Sequence, residues 1–283
     1  MAGLDASRFQ EVKEPTRLDY GDSTYWTLRY KEKSTEPFDW YLKWEQLKET
    51  MTPWLSAESE VLMLGCGSSL IPEQLVADGL AAGVVCVDQC AELIEALREK
   101  YKEKEAFQFE AIDAAELPQD WADRFDVVMD KAMMDAILVG RQGRPKAEEV
   151  LKAVFAVLKP SGKYVCVSHA QPAQRLPLLQ SLVPKDQRQW GVSCSRIPRP
   201  LDAAPEPKKG AKAPKGGADP SAMQVSAVAS PEDHVYHVYC CEKPAPEVTA
   251  EEPPAEAASA SAEGSAVGEE APAEEGAEVE GES

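Results

Sequence analysis

The chain has 283 residues, of which 43% are apolar, and its 49 acidic and 30 basic side chains give a net charge of −19. This length and apolar content are typical of a folded protein with a substantial core. Residues 244–283 contain twelve Glu and no Lys or Arg, so residues 1–243 carry only the remaining −7. The acidic balance argues against a nucleic-acid-binding protein that uses a basic face.

The apolar segments and the cysteines indicate the compartment. No apolar run approaches the roughly 20 residues that a membrane helix needs, and residues 1–15 lack the pattern of a signal peptide. We therefore expect neither a membrane segment nor secretion. Four of the seven cysteines lie in strand-like apolar segments, and none forms a CxxC pair. Cysteine used as a small apolar residue is typical of a reducing compartment, so we predict a cytoplasmic protein.

Changes in composition divide the chain. Residues 1–19 are predicted as an N-terminal extension and residues 20–243 as the folded domain. Within the domain, residues 201–230 are rich in Ala, Pro, Gly and Lys, which predicts a flexible loop because strand character returns at His234–Lys243. Residues 244–283 form a Glu- and Ala-rich tail without aromatic residues, which predicts disorder. The tail is interpreted as solubilising, with docking of a basic partner as the alternative.

Between residues 60 and 200, short apolar runs alternate with amphipathic helical patterns. The predicted strands are Val61–Leu64, Val84–Asp88, Phe107–Glu110, Phe125–Met129 and Lys163–Ser168. Strands that alternate with helices imply right-handed crossovers and a mainly parallel sheet covered on both faces. Two later strands, Gln189–Ile197 and His234–Cys241, are expected to form a hairpin with a long loop at one edge. The sequence therefore predicts a doubly wound α/β fold.

Residues that follow the strands form a candidate ligand site, because such sheets bind ligands beyond the carboxyl ends of their strands. Gly65 and Gly67 follow the first strand and let the backbone approach a ligand closely. Asp88 ends the second strand, where a carboxylate can accept hydrogen bonds from ribose hydroxyls. Asp113 follows the third strand and is placed to accept from an exocyclic amine or from a nearby amide. The segment GCGSSL lacks the third glycine that packs under a pyrophosphate, which favours S-adenosylmethionine over NAD.

Simpler interpretations exist for several of these residues. A GxG after a strand is a weak signal by itself, and Asp88 alone could cap the helix that follows it. The occurrence of both features at the ends of successive strands favours a cofactor-binding site over these simpler interpretations. His169 follows the fifth strand, but a lone histidine is more often structural or exposed. His234 and His237 are three residues apart in a strand and point to opposite faces, so we predict no metal site.

The motifs VLMLGCGSS, VVCVDQC, EAIDAAEL and FDVVMDKAMMDAI resemble, in order and spacing, the seven-stranded S-adenosylmethionine-dependent methyltransferases, a class I, Rossmann-like fold. The chain is most similar to the methyltransferase-like branch that modifies lysines of translation elongation factor 1-alpha. Tyr25–Tyr30 (YWTLRY) and Phe38–Trp40 (FDW), called the N-terminal cap below, match elements of this branch. The resemblance covers about residues 20–243 and implies a protein substrate, with a translation elongation factor as the candidate.

Residue by residue, the resemblance implies ten cofactor-binding positions. They lie in the N-terminal cap and after the strands: Trp26, Tyr30, Trp40, Gly65, Gly67, Asp88, Gln89, Asp113, Ala114 and Lys131. The chain departs from the family pattern at three places. Gln89 replaces a tyrosine and Ser68 an asparagine, which bears on cofactor binding. Ala132-Met133-Met134 replaces Gly-Thr-Leu near the substrate entrance, which bears on the identity of the target.

The leading hypothesis for the reaction is N-methylation of a protein lysine. Methyl transfer is an in-line displacement, to which the protein contributes positioning and desolvation. The lysine amine, with a pKa of about 10.4, must first lose its proton. Asp130 and Asp135 are the candidate catalytic residues that would orient it. Two alternatives are a methyltransferase of a small molecule or another protein site, and a catalytically silent cofactor-binding module that acts as an interaction protein through its acidic tail.

Overall fold

The computed structural model describes residues 20–33, 36–181, 190–200 and 234–245. The extension 1–19, the loop 201–230 and the tail beyond residue 245 lie outside the described residues, so the predictions made for them stay predictions. The strands are β1 (Glu60–Leu64), β2 (Gly83–Asp88), β3 (Phe107–Ala111), β4 (Phe125–Lys131), β5 (Leu158–Ser168), β6 (Gly191–Pro198) and β7 (Val235–Glu242). The α-helices are α1 (Ser23–Lys33), α2 (Trp44–Met51), α3 (Ile71–Ala77), α4 (Ala91–Tyr101), α5 (Met133–Val139), α6 (Gly143–Val157) and α7 (Pro172–Gln180).

The strands form a seven-stranded sheet in the order β3-β2-β1-β4-β5-β7-β6. Strands β1 to β5 are parallel, and β7 pairs antiparallel with both β5 and β6. Leu64 at the end of β1 aligns with Val87 of β2 and with Asp130 of β4. The chain order reverses between β1 and β4, so their carboxyl ends flank a topological switch point. This arrangement confirms the predicted doubly wound α/β fold.

The start of β5 differs from the prediction. β5 begins at Leu158 rather than Lys163, because the Lys-Pro-Ser-Gly segment before the predicted strand belongs to the strand. A register shift against β4, between Phe125 and Val127, and a positive φ of 63° at Ser161 accommodate this irregular start. The hairpin of β6 and β7 is confirmed, with β7 as the inner strand and β6 at the edge.

Apolar side chains alternate between the two faces of the sheet and build a core on each side. On one face, Val61 and Met63 pack with Leu47 of α2 and Leu75 of α3. On the other face, residues of α5, α6 and α7 cover the sheet, and Leu62 belongs to that cluster. Each fully buried Leu or Val contributes about 1.5–3 kcal/mol through removal of apolar surface from water. The helices on both faces leave the carboxyl edge of the strands open for a site.

Candidate cofactor and active site

A cavity of about 650 Å³ lies at the carboxyl ends of the central strands. Its volume is in the range of small-molecule sites, about 300–1,000 Å³. All ten residues predicted to bind the cofactor line this cavity. Positions that are up to 105 residues apart in the sequence, from Trp26 to Lys131, therefore meet around one space.

The loop after β1 requires glycine at two positions. Gly65 and Gly67 have φ values of 57° and 52°, in the left-handed region that other residues rarely adopt. A Cβ atom on Gly65 would lie 2.8 Å from Cγ of Met133, and one on Gly67 would lie 2.5 Å from the Tyr30 hydroxyl oxygen. Both glycines thus allow the backbone to face the cavity without a side chain between it and a ligand.

Asp88 connects this loop to the end of β2. Its carboxylate accepts hydrogen bonds from the Gly67 N–H at 3.1 Å and from the Cys90 N–H at 3.0 Å. Burial raises the pKa of Asp88, while these two N–H groups oppose that shift. The N-cap position of α4 is Cys90, so Asp88 is not the helix cap that the simpler interpretation suggested. The carboxylate instead shapes the cavity wall.

Asp113, after β3, lines the cavity next to Ala114. One carboxylate oxygen accepts from the Ala115 N–H at 3.0 Å, and the other pairs with the ammonium of Lys146 in α6. Lys146 also lines the cavity and was missed by the sequence analysis. No local pattern identifies it, because it lies 33 residues from its partner and on a different element.

The N-terminal cap covers the cavity with aromatic rings. The rings of Trp26 and Tyr30 stack with centroids 6.2 Å apart, and Trp40 meets Trp26 edge-on at 6.0 Å. The Trp26 indole N–H donates to the Tyr20 carbonyl at 2.8 Å, which holds the start of the described chain against α1. The three predicted aromatic residues therefore form one wall rather than separate packing contacts.

Lys131 lies at the end of β4, and its ammonium group binds residues of the N-terminal cap. It forms an ion pair with Asp39 at 3.1 Å and donates to the Trp40 carbonyl at 2.9 Å. Asp39 also accepts from the Ser69 hydroxyl, next to the glycine loop. Burial lowers the pKa of Lys131, and the charge of Asp39 opposes that shift. Asp39 was not among the predicted site residues, although it lies within the FDW motif that indicated the cap.

The residues present fit an adenosine-bearing cofactor. The glycine loop leaves backbone exposed, and Asp88 and Asp113 supply acceptors at successive strand ends. The buried Trp40 indole N–H, in the cavity wall, has no acceptor within the described ranges. Buried donors are rarely left unpaired, so this N–H is available to an acceptor on a bound ligand.

Asp130 does not line the cavity, contrary to its predicted catalytic position. It is fully buried and accepts from the N–H groups of Met133 at 2.8 Å and Met134 at 3.1 Å. It thereby caps α5, whose N-cap residue Ala132 has no polar side chain. Burial raises the pKa of Asp130 to about 6. The structure gives Asp130 a helix-capping position.

Asp135 is also buried away from the cavity wall, where four side chains donate to it. The donors are the Tyr41 hydroxyl at 3.0 Å, the Ser168 hydroxyl at 2.6 Å, His169 Nδ1 at 2.8 Å and the guanidinium of Arg175. Burial opposes ionisation, but the hydrogen bond from His169 and the charges of His169 and Arg175 lower the pKa of Asp135 to about 2. His169, for which the sequence indicated no partner, therefore belongs to the hydrogen-bond network around the buried Asp135.

Comparisons with known proteins identify the family. A family described as "Methyltransferase domain" matches residues 55–215, more than half of the chain. EEF1A lysine methyltransferase 4 of Mus musculus is 28% identical over 170 residues, which cover 56% of this chain and 65% of that protein. The eEF1A lysine and N-terminal methyltransferase of Mus musculus is 28% identical over 156 residues, which cover 54% of this chain and 22% of that protein. This chain thus matches less than two thirds of each relative's length.

Among solved structures, a SAM-dependent methyltransferase from Methanosarcina mazei is similar with a TM-score of 0.48 and 15% identity, covering 74% of this chain and all of that one. The family match includes the glycine loop, Asp88, Asp113 and Lys131. The predicted resemblance is therefore confirmed: the chain belongs to the methyltransferase domain family.

Proposed function

We propose that this protein methylates a lysine ε-amine of a translation elongation factor, with S-adenosylmethionine as methyl donor. The observation that carries the proposal is the capped cavity at the switch point, where Gly65, Gly67 and Asp88 meet the aromatic wall. The names of the two mouse relatives, both eEF1A lysine methyltransferases, support this choice of substrate.

The cavity residues suit this chemistry. The cofactor, when bound, supplies an electrophilic methyl group on a positively charged sulfur. We assign Asp88 to the ribose hydroxyls and Asp113 to the adenine amine, since both carboxylates lie in the wall. The rings of Trp26 and Trp40 would exclude water, and an aromatic face near a cation contributes about 0.5–2 kcal/mol.

A cytoplasmic location is part of the same proposal. It is supported by seven free cysteines, six of them buried. Within the part of the chain that the structure describes, no helix combines the length and apolar character needed to cross a bilayer.

The test is methyl transfer by the purified full chain. The protein is incubated with radiolabelled S-adenosylmethionine and purified elongation factor 1-alpha, and the labelled residue is located by mass spectrometry. We expect label on a lysine, and loss of label with the Asp88→Ala variant. Glu95→Ala, an exposed change on α4, is the matched control and should keep full activity. Label on no lysine would refute the proposal.

A second candidate is a methyltransferase of a small molecule or another protein site. Met133 favours it, because its side chain packs against Gly65 where the family pattern has the smaller threonine. A cell extract in the same assay separates the candidates, since label then appears in another protein band or in the small-molecule filtrate. Cofactor binding with no labelled product in any fraction would instead indicate the silent interaction module.

A further inference from the structure

A histidine that does not itself line the cavity lies at the carboxyl end of β5. His169 follows the last residue of β5, the strand next to β4 in the sheet. Its partners Tyr41 and Asp135 each adjoin a cavity-lining residue in the chain, Trp40 and Ala136 respectively. The cofactor-binding positions predicted after β1, β2 and β3 occupy the other half of the edge. The β5 side lies next to these positions, beyond Lys131 at the end of β4.

The hydrogen bonds of His169 fix which ring nitrogen carries the proton. Nδ1 lies 2.8 Å from Asp135 Oδ2 and 2.9 Å from the Tyr41 hydroxyl oxygen. The pKa of Asp135 near 2 keeps this carboxylate ionised, so it can only accept. In the neutral ring Nδ1 therefore holds the hydrogen and Nε2 holds the lone pair.

The remaining nitrogen is available for chemistry. Within residues 20–33, 36–181, 190–200 and 234–245, Nε2 has no hydrogen-bond partner. The His169 side chain is 32% exposed, whereas that of Asp135 is 1% exposed. A partly exposed imidazole oriented by a buried carboxylate is the arrangement that general bases use, with the carboxylate stabilising the imidazolium that forms.

We propose that His169 is the catalytic base that accepts the proton of the substrate amine, and that Asp135 is its positioning residue. This inference rests on the proposed lysine methylation and assigns its proton-transfer step. An N–H bond of the lysine ammonium breaks, the electron pair stays on the lysine nitrogen, and the proton forms the Nε2–H bond of an imidazolium. The imidazolium faces the Asp135 carboxylate and later returns the proton to water. The lysine lone pair is then free for methylation.

Charged groups around His169 come from four elements. Asp135 on α5 and Arg175 on α7 lie behind the ring, with the guanidinium paired to the carboxylate. Tyr41 contacts it from the segment after the cap, with its ring edge-on at 5.8 Å. His237 faces it from β7, and burial together with nearby positive charges lowers the pKa of His237, so this neighbour stays neutral. Asp135 is thus the anion that can stabilise the protonated ring.

The experiment compares His169→Gln with His234→Gln, the same change at an exposed histidine before β7. We expect His169→Gln to lower kcat on the elongation factor at pH 7 by about 100-fold. Because the neutral fraction of a lysine rises tenfold per pH unit below its pKa of about 10.4, the deficit should shrink toward pH 9. The calorimetric Kd for S-adenosylmethionine should not change. Wild-type kcat at pH 7 in this variant, or a deficit equally large at pH 9, would overturn the proposal.

A second measurement uses the wild-type protein and does not depend on activity. Nitrogen NMR of the histidine rings reports which nitrogen is protonated. We expect the neutral His169 to be the Nδ1–H tautomer, and an Nε2–H tautomer would overturn the inference. Absence of lysine methylation by the wild-type protein would instead refute the proposed function, so the two failures are distinguishable.

Discussion

Ala132 carries a backbone conformation that its side chain disfavours. Its φ of 72° is in the left-handed region, at the position where the family pattern has glycine. A left-handed residue with a Cβ atom costs about 1–2 kcal/mol. The strain is tolerated because Asp130 accepts from the first N–H groups of α5 and so fixes the start of the helix.

We predict that Ala132→Gly stabilises the protein. Relief of the strain exceeds the added entropy of the unfolded chain, about 0.4–1 kcal/mol, so the free energy of unfolding should rise by about 0.5–1 kcal/mol. Urea unfolding measures it. The control is Ala136→Gly, inside the same helix, which should lower stability by about 1 kcal/mol. A loss of stability in Ala132→Gly would show that the positive φ is not strained.

Asp88 combines a structural with a binding role. We predict that Asp88→Ala weakens S-adenosylmethionine binding by about 1.5–3 kcal/mol, the range for hydrogen bonds to a charged group. Stability should fall as well, since the N–H groups of Gly67 and Cys90 lose their acceptor. Calorimetric titration of the folded variant decides the first effect and thermal melting the second. Unchanged affinity would remove Asp88 from the cofactor site.

At the scale of elements, the N-terminal cap is attached to the sheet, and the residue that follows the cap is attached to α5. Asp39 pairs with Lys131 at the end of β4, and Tyr41 bonds to Asp135 in α5. A buried ion pair adds little net stability, because desolvation offsets the attraction, but it disfavours other positions of the segment. The cap is thereby held over the cavity. This explains why Lys131 both lines the cavity and pairs with the cap.

We predict that Trp26→Ala lowers cofactor affinity and turnover together, with a modest loss of thermal stability. The indole forms part of the cavity wall and is only partly buried. The control is Leu28→Ala on the same helix, because Leu28 is 42% exposed and does not line the cavity. Thermal melting without cofactor and methyl transfer at saturating cofactor are measured on both variants. A Trp26 variant that melts far earlier yet keeps full turnover would make the cap purely structural.

For the whole molecule, the features that could be predicted from the sequence are those that depend on a local pattern of residues. Apolar runs with a polar residue at their ends, such as Val84–Asp88, identify buried strands and the residues at their carboxyl ends. The order of these strands and the glycine loop then predicted the cavity. Helix α5 was not predicted, because its N-cap residue is a left-handed alanine without a polar side chain to mark the start of a helix. Contacts between distant positions have no local signal.

The partners of Asp135 illustrate this limit. His169 is 34 residues away and Tyr41 is 94 residues away, so a pattern of neighbouring residues cannot connect them. The sequence analysis predicted a carboxylate near the substrate amine. It could not distinguish an exposed carboxylate from one that is buried behind a histidine. Residue type and spacing in the sequence indicated which part of the fold holds the site. Only the packing of the folded chain decides which side chain is exposed there.

Two buried carboxylates, Asp130 in β4 and Asp135 in α5, predict how stability depends on pH. The folded pKa of Asp135, about 2, is below its ordinary 3.8, so its ionised form stabilises the protein above pH 3.8 and this contribution is lost as the pH falls through 2. The folded pKa of Asp130, about 6, is above 3.8, so the folded state binds its proton more tightly and acidification from pH 6 to 3.8 adds stability.

We therefore expect these two groups to raise the free energy of unfolding between pH 7 and about pH 4 and to lower it below that. Urea unfolding at pH 7, 5 and 3 measures the profile. Asp130→Asn should remove the rise in the free energy of unfolding between pH 7 and about pH 4. Asp135→Asn should remove the fall below about pH 4. Each variant lacks the carboxyl group that titrates in that range. Asp120→Asn, an exposed change, should leave the profile unaltered. If both buried variants kept the wild-type profile, groups elsewhere in the protein would control its acid stability, and the carboxylates under α5 would be energetically silent.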